Sequence, residues 1–178
     1  MGGDPPVKTG RGSTPLCLEE KMDAIVAVYS DWGIGADGTQ PVVLKADRAH
    51  FVALTKGRTV IVGRRTLGDF PGGRPLKNRR NIVITRQNIT IDGAETAHSA
   101  AEAASLCGGD ALVLGGASVF REFFPYLNRV FVTKIGCRPE SDSFFPNLDD
   151  DPAWEVTDPG EELREDGVSY RFVCYERK

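Results

Sequence analysis

The chain has 178 residues, of which 40% are hydrophobic and 26% are charged, and its formal net charge is −3. These values are typical of one soluble domain that is large enough to bury a core. No apolar run approaches the roughly 18 residues that a helix needs to span a bilayer, which excludes a transmembrane helix from the expected elements.

Residues 1–21 are rich in glycine, proline and charge and lack the apolar stretch of a signal peptide. We therefore expect a disordered extension over 1–21, followed by one folded domain over 22–178. The four cysteines and two histidines have no metal-ligand spacing, so we expect neither a metal site nor a disulfide framework. A reducing cytoplasm is the simplest location for such a chain.

The charges are distributed unevenly. Residues 45–86, called the basic segment below, contain eleven lysines and arginines and only two acidic residues, whereas residues 138–178 contain five basic and twelve acidic residues. A basic segment in an acidic protein favours an anionic partner. Because the chain has neither a basic face interleaved with aromatic residues nor a recognition motif for nucleic acid, a small polyanionic ligand fits better than nucleic acid, and a solvated surface without a ligand stays open.

The first predicted element is a buried strand over residues 23–29, a short run of β-branched apolar residues. A long loop follows to about Val43. Residues 45–55 are predicted to form a helix that turns Ala49, Phe51, Val52 and Leu54 toward the core. Further buried strands are predicted over 59–62 and 81–85, separated by a short helix after Gly63 and a Gly/Pro-rich loop over 71–75.

A capping box formed by Ser99 and Glu102 predicts a helix that ends before Gly108. A strand over 111–114, a helix over 119–125 and a strand over 129–135 follow. Strands around 154–156 and 169–175, joined by an acidic loop over 158–166, are expected to pair as an antiparallel hairpin at one edge. This alternation predicts a largely parallel sheet that binds ligands beyond the carboxyl ends of its strands.

Asp47 is the most informative polar residue of the chain, because it is the lone acid at a helix start with apolar neighbours. Burial in such a setting disfavours the ionised form and raises the pKa of the carboxyl, as a proton donor near neutral pH requires. The alternative is an acid that is placed in the first turn only because it favours the helix terminus.

Three predicted strands end in groups suited to phosphate. Gly115 and Gly116 let a backbone approach a pyrophosphate closely, and the same arrangement of strand, glycine and helix recurs at Gly63, followed by arginines. Thr85 and Arg86 end a third strand. This convergence favours NADP over NAD, although a tight turn without a ligand is also consistent with paired glycines.

Arg79 and Thr133 are two further candidates. A guanidinium at the entry to a strand can bind a carboxylate through two parallel hydrogen bonds, and a surface arginine is the alternative. Thr133 shares an inward strand face with Phe131 and Ile135, so its hydroxyl needs a hydrogen-bond partner. For a core threonine this partner is most often a backbone group.

Several of these segments, taken in order, resemble the dihydrofolate reductase family over residues 22–178. The segments that carry the resemblance are 25–28, 33–35, 41–51, 60–66, 79–86, 114–120, 132–135 and 142–146. The resemblance implies an α/β fold with a predominantly parallel, eight-stranded mixed sheet, about four flanking helices and an antiparallel C-terminal edge hairpin. It also implies NADPH-dependent reduction of 7,8-dihydrofolate to 5,6,7,8-tetrahydrofolate in one-carbon metabolism, by a monomer that binds antifolates and neither nucleic acid nor membrane.

The resemblance assigns catalytic roles to Asp47, which would bind the pterin 2-amino group and N3, and to Thr133, which would support it. The expected substrate-binding residues, among which Arg79 would hold the α-carboxylate of the glutamate, are Ile25, Asp47, Phe51, Phe70, Leu76, Arg79 and Thr133. The expected NADPH-binding residues are Ala27, Ile34, Gly35, Gly63, Arg64, Arg65, Thr66, Thr85, Arg86, Gly115, Gly116, Ala117, Ser118, Val119 and Phe120. Residues 30–43 correspond to the mobile lid over the nicotinamide.

Two positions depart from the family pattern: Val42 replaces a tryptophan in the lid, and Phe120 replaces a tyrosine after the paired glycines. Two other functions stay open on this basis. One is a riboflavin-pathway pyrimidine reductase of the same fold, which would lack the acid and threonine pair. The other is a non-catalytic protein that binds NADPH or folate, which would not need a semi-buried acid.

Overall fold

The structure, a computed structural model, describes residues 22–108 and 110–178. The extension predicted over 1–21 lies outside the described residues. The strands are β1 (Met22–Val28), β2 (Gly33–Gly35), β3 (Thr59–Gly63), β4 (Arg80–Ile84), β5 (Glu95–Ala97), β6 (Ala111–Gly115), β7 (Leu127–Ile135), β8 (Ser143–Phe144), β9 (Trp154–Asp158), β10 (Leu163–Glu165) and β11 (Val168–Arg177). The α-helices are α1 (Lys45–Thr55), α2 (Arg64–Gly68), α3 (Ala100–Cys107) and α4 (Ala117–Phe123).

Among the described residues, nine strands form the central sheet. Eight lie in the order β10-β11-β7-β1-β6-β3-β4-β5, and β9 pairs with another part of β11. The five pairings from β7 to β5 are parallel, and β11 runs antiparallel to β7. The predicted fold class is therefore confirmed. None of the described helices has the length and apolar character that a bilayer crossing requires.

The acidic segment after β9 contains a strand that the sequence pattern did not predict. β10 pairs antiparallel with β11, and Glu165 lies opposite Val168. Asp166 and Gly167 connect them with φ values of 49° and 79°, and positive φ at both central residues is what a type I′ hairpin turn requires. The prediction of a loop was wrong for residues 163–165, and the Asp-Gly pair was the signal that could have corrected it.

Helix α1 has the predicted bounds, but its predicted core face was wrong for two of four residues. Ala49 is exposed and Val52 is 51% exposed, whereas Phe51 and Leu54 are half-buried. Asp47, Phe51 and Thr55, at positions i, i+4 and i+8, lie on one face of the helix, and Thr55 is buried. Two of these three side chains are polar, so an apolar stripe did not mark the packed face of this helix.

The predicted capping box is present at the start of α3. The Ser99 side chain accepts a hydrogen bond from the Glu102 N–H at 3.1 Å, and the Glu102 carboxylate accepts one from the N–H of His98. Gly108 then ends the helix in the left-handed conformation.

Part of the positive charge of the basic segment stabilises the amino edge of the sheet. The buried Asp23 carboxylate accepts hydrogen bonds from Arg58 at 3.1 Å and from Arg129 at 2.8 Å. Arg80 forms two hydrogen bonds with Glu95. Arg58 and Arg80 therefore have structural partners at the edge opposite the one where ligands were expected.

Candidate active site

The side chains of Asp47 and Thr133 meet although 86 residues separate them in sequence. Asp47 lies in the first turn of α1 and is half-buried, whereas Thr133 lies on β7 and is 1% exposed. The Thr133 hydroxyl donates a hydrogen bond to Asp47 Oδ1 at 2.6 Å. The partner of this core threonine is thus a carboxylate, as the resemblance implied, and the two predicted catalytic residues lie together.

Burial raises the pKa of the Asp47 carboxyl above its usual value, because desolvation disfavours the ionised form. The hydrogen bond from Thr133 and the nearby His50 act in the opposite direction and lower this pKa. Burial also lowers the pKa of His50, and Asp47 opposes that change. Sequence analysis did not single out His50, whose ring stacks on Phe172 with centroids 4.0 Å apart.

Glycines at the carboxyl ends of β3 and β6 allow close packing of the chain where the cofactor was expected: Gly63 and Gly115 are buried, and Gly116 is half-buried. A Cβ on Gly63 would lie 2.9 Å from Val119 Cγ2 and 3.7 Å from the Gly116 nitrogen, and a Cβ on Gly116 would lie 2.9 Å from Thr66 Oγ1. The peptide bond between Gly115 and Gly116 is cis, and Gly115 has a φ of 116°. Larger residues would not fit these positions, so the close approach depends on glycine.

Polar side chains surround these glycines. Thr85, at the end of β4, is buried and its hydroxyl accepts a hydrogen bond from the Gln87 N–H at 3.1 Å. The Gln87 side chain in turn accepts a hydrogen bond from Arg64. Of the other predicted cofactor residues, Thr66 and Ala117 are half-buried and three are exposed: Arg65, Arg86 and Ser118.

Val119 and Phe120 contribute to the core more than to the surface of the site. They are 5% and 4% exposed, and the Phe120 ring packs edge-to-face on Phe145 with centroids 5.1 Å apart. The same ring would lie 3.0 Å from a Cβ on Gly115. The Phe120 ring therefore packs against the backbone at Gly115, in an apolar environment that suits its lack of a hydroxyl.

The predicted lid over 30–43 is attached at its middle to the segment around β8. Gly33–Gly35, which forms β2 and includes Ile34, pairs antiparallel with β8. The N–H of Asp37 donates to the Asp142 carboxylate at 2.9 Å, and the Asp142 N–H donates to the Gly35 carbonyl. Gly35 has a φ of 141°, and a Cβ there would lie 2.3 Å from the Thr39 carbonyl oxygen, so this position also needs glycine.

Tyr29 joins the two ends of the lid and was not identified from the sequence. Its hydroxyl accepts a hydrogen bond from the Val42 N–H at 3.1 Å and donates one to the Val42 carbonyl at 3.2 Å. Because both contacts are to backbone, they do not depend on which side chain occupies position 42. No local sequence signal marks such a contact, and only the fold brings the two residues together.

The predicted substrate-binding residues extend along α1 from Asp47 to Arg79. Arg79 is half-buried, and its Nε donates a hydrogen bond at 2.9 Å to Thr55, which lies eight residues after Asp47 on the same helix. Eight residues correspond to a rise of about 12 Å, with Phe51 between the two ends. A single ligand that contacts both Asp47 and Arg79 must therefore be elongated.

The other residues predicted to bind substrate differ in burial. Ile25, on β1, is 6% exposed and Phe70 and Leu76 are half-buried. The N–H of Leu76 donates to the Asn81 side chain at 3.0 Å. Ala27, which was predicted to bind the cofactor, lies beside Thr133 in the parallel register of β1 and β7.

In residues 22–108 and 110–178, no group of three or more His, Cys, Asp or Glu side chains is arranged to hold a metal ion.

Comparison with known proteins places this geometry in one family. The family model described as dihydrofolate reductase matches residues 21–177. The chain is 37% identical to the dihydrofolate reductase of Neisseria meningitidis over 160 residues, which cover 88% of this chain and 98% of that protein. It is 34% identical to the Bacillus subtilis dihydrofolate reductase, over 86% of this chain and 93% of that protein.

A solved structure agrees. Dihydrofolate reductase from Enterococcus faecalis, complexed with NADP(H) and RAB-propyl, superposes with a TM-score of 0.79 at 28% identity, covering 90% of this chain and 98% of that one. The chain belongs to the dihydrofolate reductase family. It is an NADPH-dependent oxidoreductase, which agrees with the expectation from the strand ends.

Both departures from the dihydrofolate reductase pattern lie in packed surroundings. Val42 is half-buried and packs against a buried cluster that includes Tyr29 and Leu44. Phe120 belongs to the main core cluster. Neither substitution disturbs the contact between Asp47 and Thr133.

Thr133→Val should raise the pKa of the Asp47 carboxyl, because it removes the hydroxyl that stabilises the ionised form while nearly preserving the volume of the side chain. Carbon-13 NMR of the aspartate carboxyls as a function of pH measures this change directly. Thr59→Val, a half-buried threonine at the amino end of β3, serves as the control and should leave the titration unchanged. An Asp47 titration that is identical in Thr133→Val and the parent chain would contradict the assigned role of this hydrogen bond.

Proposed function

We propose that the chain reduces 7,8-dihydrofolate to 5,6,7,8-tetrahydrofolate, with hydride transfer from C4 of NADPH to C6 of the substrate and protonation of N5. The observation that carries this proposal is the 2.6 Å hydrogen bond between Thr133 and Asp47. It supports a carboxyl of fixed orientation in a half-buried position, which can accept hydrogen bonds from the pterin 2-amino group and N3. The proposal includes a role in one-carbon metabolism and action as a cytoplasmic monomer, with dihydrofolate and antifolates as its small-molecule partners.

The residues at the carboxyl ends of β3, β4 and β6 fit NADPH. The absence of a Cβ at the half-buried Gly116 suits close approach of a pyrophosphate, and the buried Gly63 and Gly115 let the neighbouring segments pack closely beside it. Arg64 and Arg86, both exposed, supply positive charge for the phosphates. Thr66 and Thr85 add hydroxyl donors at the same edge. When bound, NADPH supplies the hydride, while the protein supplies the alignment of the two rings.

Asp47 acts on the proton side of the reaction. Its raised pKa keeps a larger fraction of the carboxyl protonated near neutral pH than an exposed aspartate would have. We assign it the polarisation of the pterin and of a water molecule that delivers the proton to N5, because the carboxyl contacts the opposite side of the pterin. The protonated pterin is the better hydride acceptor, so the rate of hydride transfer should fall as the pH rises and the protonated fraction of the bound pterin decreases.

Two features argue against the other functions. A pyrimidine reductase of the riboflavin pathway has no use for an acid that is hydrogen-bonded to a core threonine. A non-catalytic protein that binds only NADPH gains nothing from Asp47, whose burial costs free energy when the carboxyl ionises. A protein that binds folate without reducing it is distinguished by the turnover measurement. Val42 and Phe120, which motivated that second alternative, both have packing roles in this fold.

Asp47→Asn should lower kcat/KM for dihydrofolate at neutral pH by about 10²- to 10⁴-fold, because the amide cannot take part in proton transfer. The dissociation constant for NADPH should stay within about twofold, because Asp47 lies away from the glycine edge. Activity should recover partly at acid pH, where the substrate itself is protonated in solution. Asp69→Asn, the other acid of the basic segment, is the control. Unchanged turnover of Asp47→Asn at neutral pH would rule out the assigned role.

Arg79→Ala should weaken the binding of dihydrofolate and methotrexate by about 10- to 100-fold, because it removes a charge-assisted contact to the glutamate α-carboxylate. A small 2,4-diaminopyrimidine that lacks the glutamate tail should bind within about twofold of its affinity for the parent chain. Lys77→Ala, which removes an exposed charge two residues away, should affect neither class of ligand. Equal losses for both ligand classes in Arg79→Ala, measured by competitive inhibition, would show that Arg79 does not bind the tail.

A further inference from the structure

Helix α1, which carries Asp47, lacks a side-chain cap of its own. Leu44 occupies the N-cap position in extended conformation and has no polar side-chain atom. The first N–H groups of a helix have no partner within the helix, so they require acceptors from elsewhere. The sequence therefore leaves the amino end of this helix without the usual serine, threonine, aspartate or asparagine.

A carboxylate from the C-terminal hairpin accepts hydrogen bonds from two of these N–H groups. The Lys45 N–H donates to Glu165 Oε2 at 2.7 Å, and the Ala46 N–H donates to Glu165 Oε1 at 3.0 Å. Glu165 is 119 and 120 residues away from these partners in sequence. Its half-buried side chain thus caps the turn that immediately precedes and includes Asp47.

The same strands hold Glu165 and Thr133 in place. The Asp166-Gly167 turn fixes Glu165 opposite Val168 at the end of the β10–β11 hairpin. Further along, β11 pairs with β7 so that Phe172 lies opposite Thr133. The first turn of α1 is consequently attached at two adjacent points, through its N–H groups to Glu165 and through Asp47 to Thr133.

We propose that Glu165 is a positioning residue for Asp47. It acts as an N-cap supplied by a distant segment of the same chain, which orients the Asp47 carboxyl against Thr133 and neutralises the positive end of α1. This inference rests on the proposed role of Asp47. Without the Glu165 charge, the N–H groups of the first turn would stabilise a second carboxylate, and the nearest one belongs to Asp47. The Glu165 charge would thus offset the stabilisation that the helix end offers to the ionised Asp47 carboxylate.

Few other charges compete with this effect around Asp47. On its own helix, His50 lies one turn further along, and Lys45 and Arg48 are exposed. The facing strands β1, β7 and β11 present the uncharged residues Ala27, Thr133 and Phe172, which lie beside one another in register. Glu165, from β10, is thus the negative charge that contacts the helix start, and its removal tests one interaction.

The test compares Glu165→Gln and Glu165→Ala with Glu161→Gln, which neutralises an exposed acid in the segment before β10. For each variant, single-turnover hydride transfer from NADPH to dihydrofolate is measured across pH, together with kcat, KM and the NADPH dissociation constant. Glu165→Gln keeps a hydrogen-bond acceptor and so preserves part of the cap if the alanine variant fails to fold.

In Glu165→Gln, we expect the pH at which hydride transfer declines to move down, and the rate at neutral pH to fall by about two- to fivefold. NADPH affinity should stay within about twofold, and Glu161→Gln should match the parent chain in every measurement. Loss of thermal stability with an unchanged pH profile would show that Glu165 has only a structural role, and would overturn the proposal.

Asp47→Asn separates failure of this inference from failure of the proposed function. If Asp47→Asn retains the pH profile of the parent chain, the role of Asp47 is wrong, and the inference falls with it. If Asp47→Asn loses activity at neutral pH and recovers it partly only at acid pH, while Glu165→Gln matches Glu161→Gln, the proposed function stands and only the role of Glu165 is contradicted.

Discussion

The hydrogen bond from Thr133 to Asp47 is the interaction on which the geometry of the site depends. Helix α1 buries little apolar surface, since Thr55 is its one fully buried residue among those described and Val52 is half exposed. Polar contacts instead determine how this helix lies on the sheet. The acid is thereby oriented by the sheet itself, which is more rigid than the loop that precedes it.

The parallel sheet separates its charges between two edges. At the amino edge, Arg58 and Arg129 neutralise the buried Asp23, so these charges serve stability. At the carboxyl edge, Arg64 directly follows β3 and Arg86 lies just after β4, and both side chains are exposed, so that anionic groups of a ligand can approach them. The positive charge of the basic segment thus has two uses, and only the fold distinguishes them, because residues of both kinds alternate along the same stretch of sequence.

Much of this arrangement was predictable because it is encoded locally. Buried strands marked by β-branched runs, the bounds of α1 and the cap at Ser99 all follow from short patterns, and Asp47 was notable at a helix start without any knowledge of its partner. The strand ends at Gly63, Thr85 and Gly115 indicated a phosphate site by themselves, whereas the specific roles of Arg79 and of the remaining cofactor residues came from resemblance. Glu165 and Tyr29 escaped prediction because both contact backbone of distant residues, and backbone acceptors and donors leave no trace in a sequence.

The proposed function couples an NADPH site to an acid that acts on dihydrofolate. Oxidation of NADPH by the purified protein, followed with and without dihydrofolate and with NADH as a parallel donor, checks this coupling in one experiment. We expect oxidation that depends on dihydrofolate and is faster with NADPH than with NADH. Tight binding of NADPH without oxidation that depends on dihydrofolate would refute the proposed function.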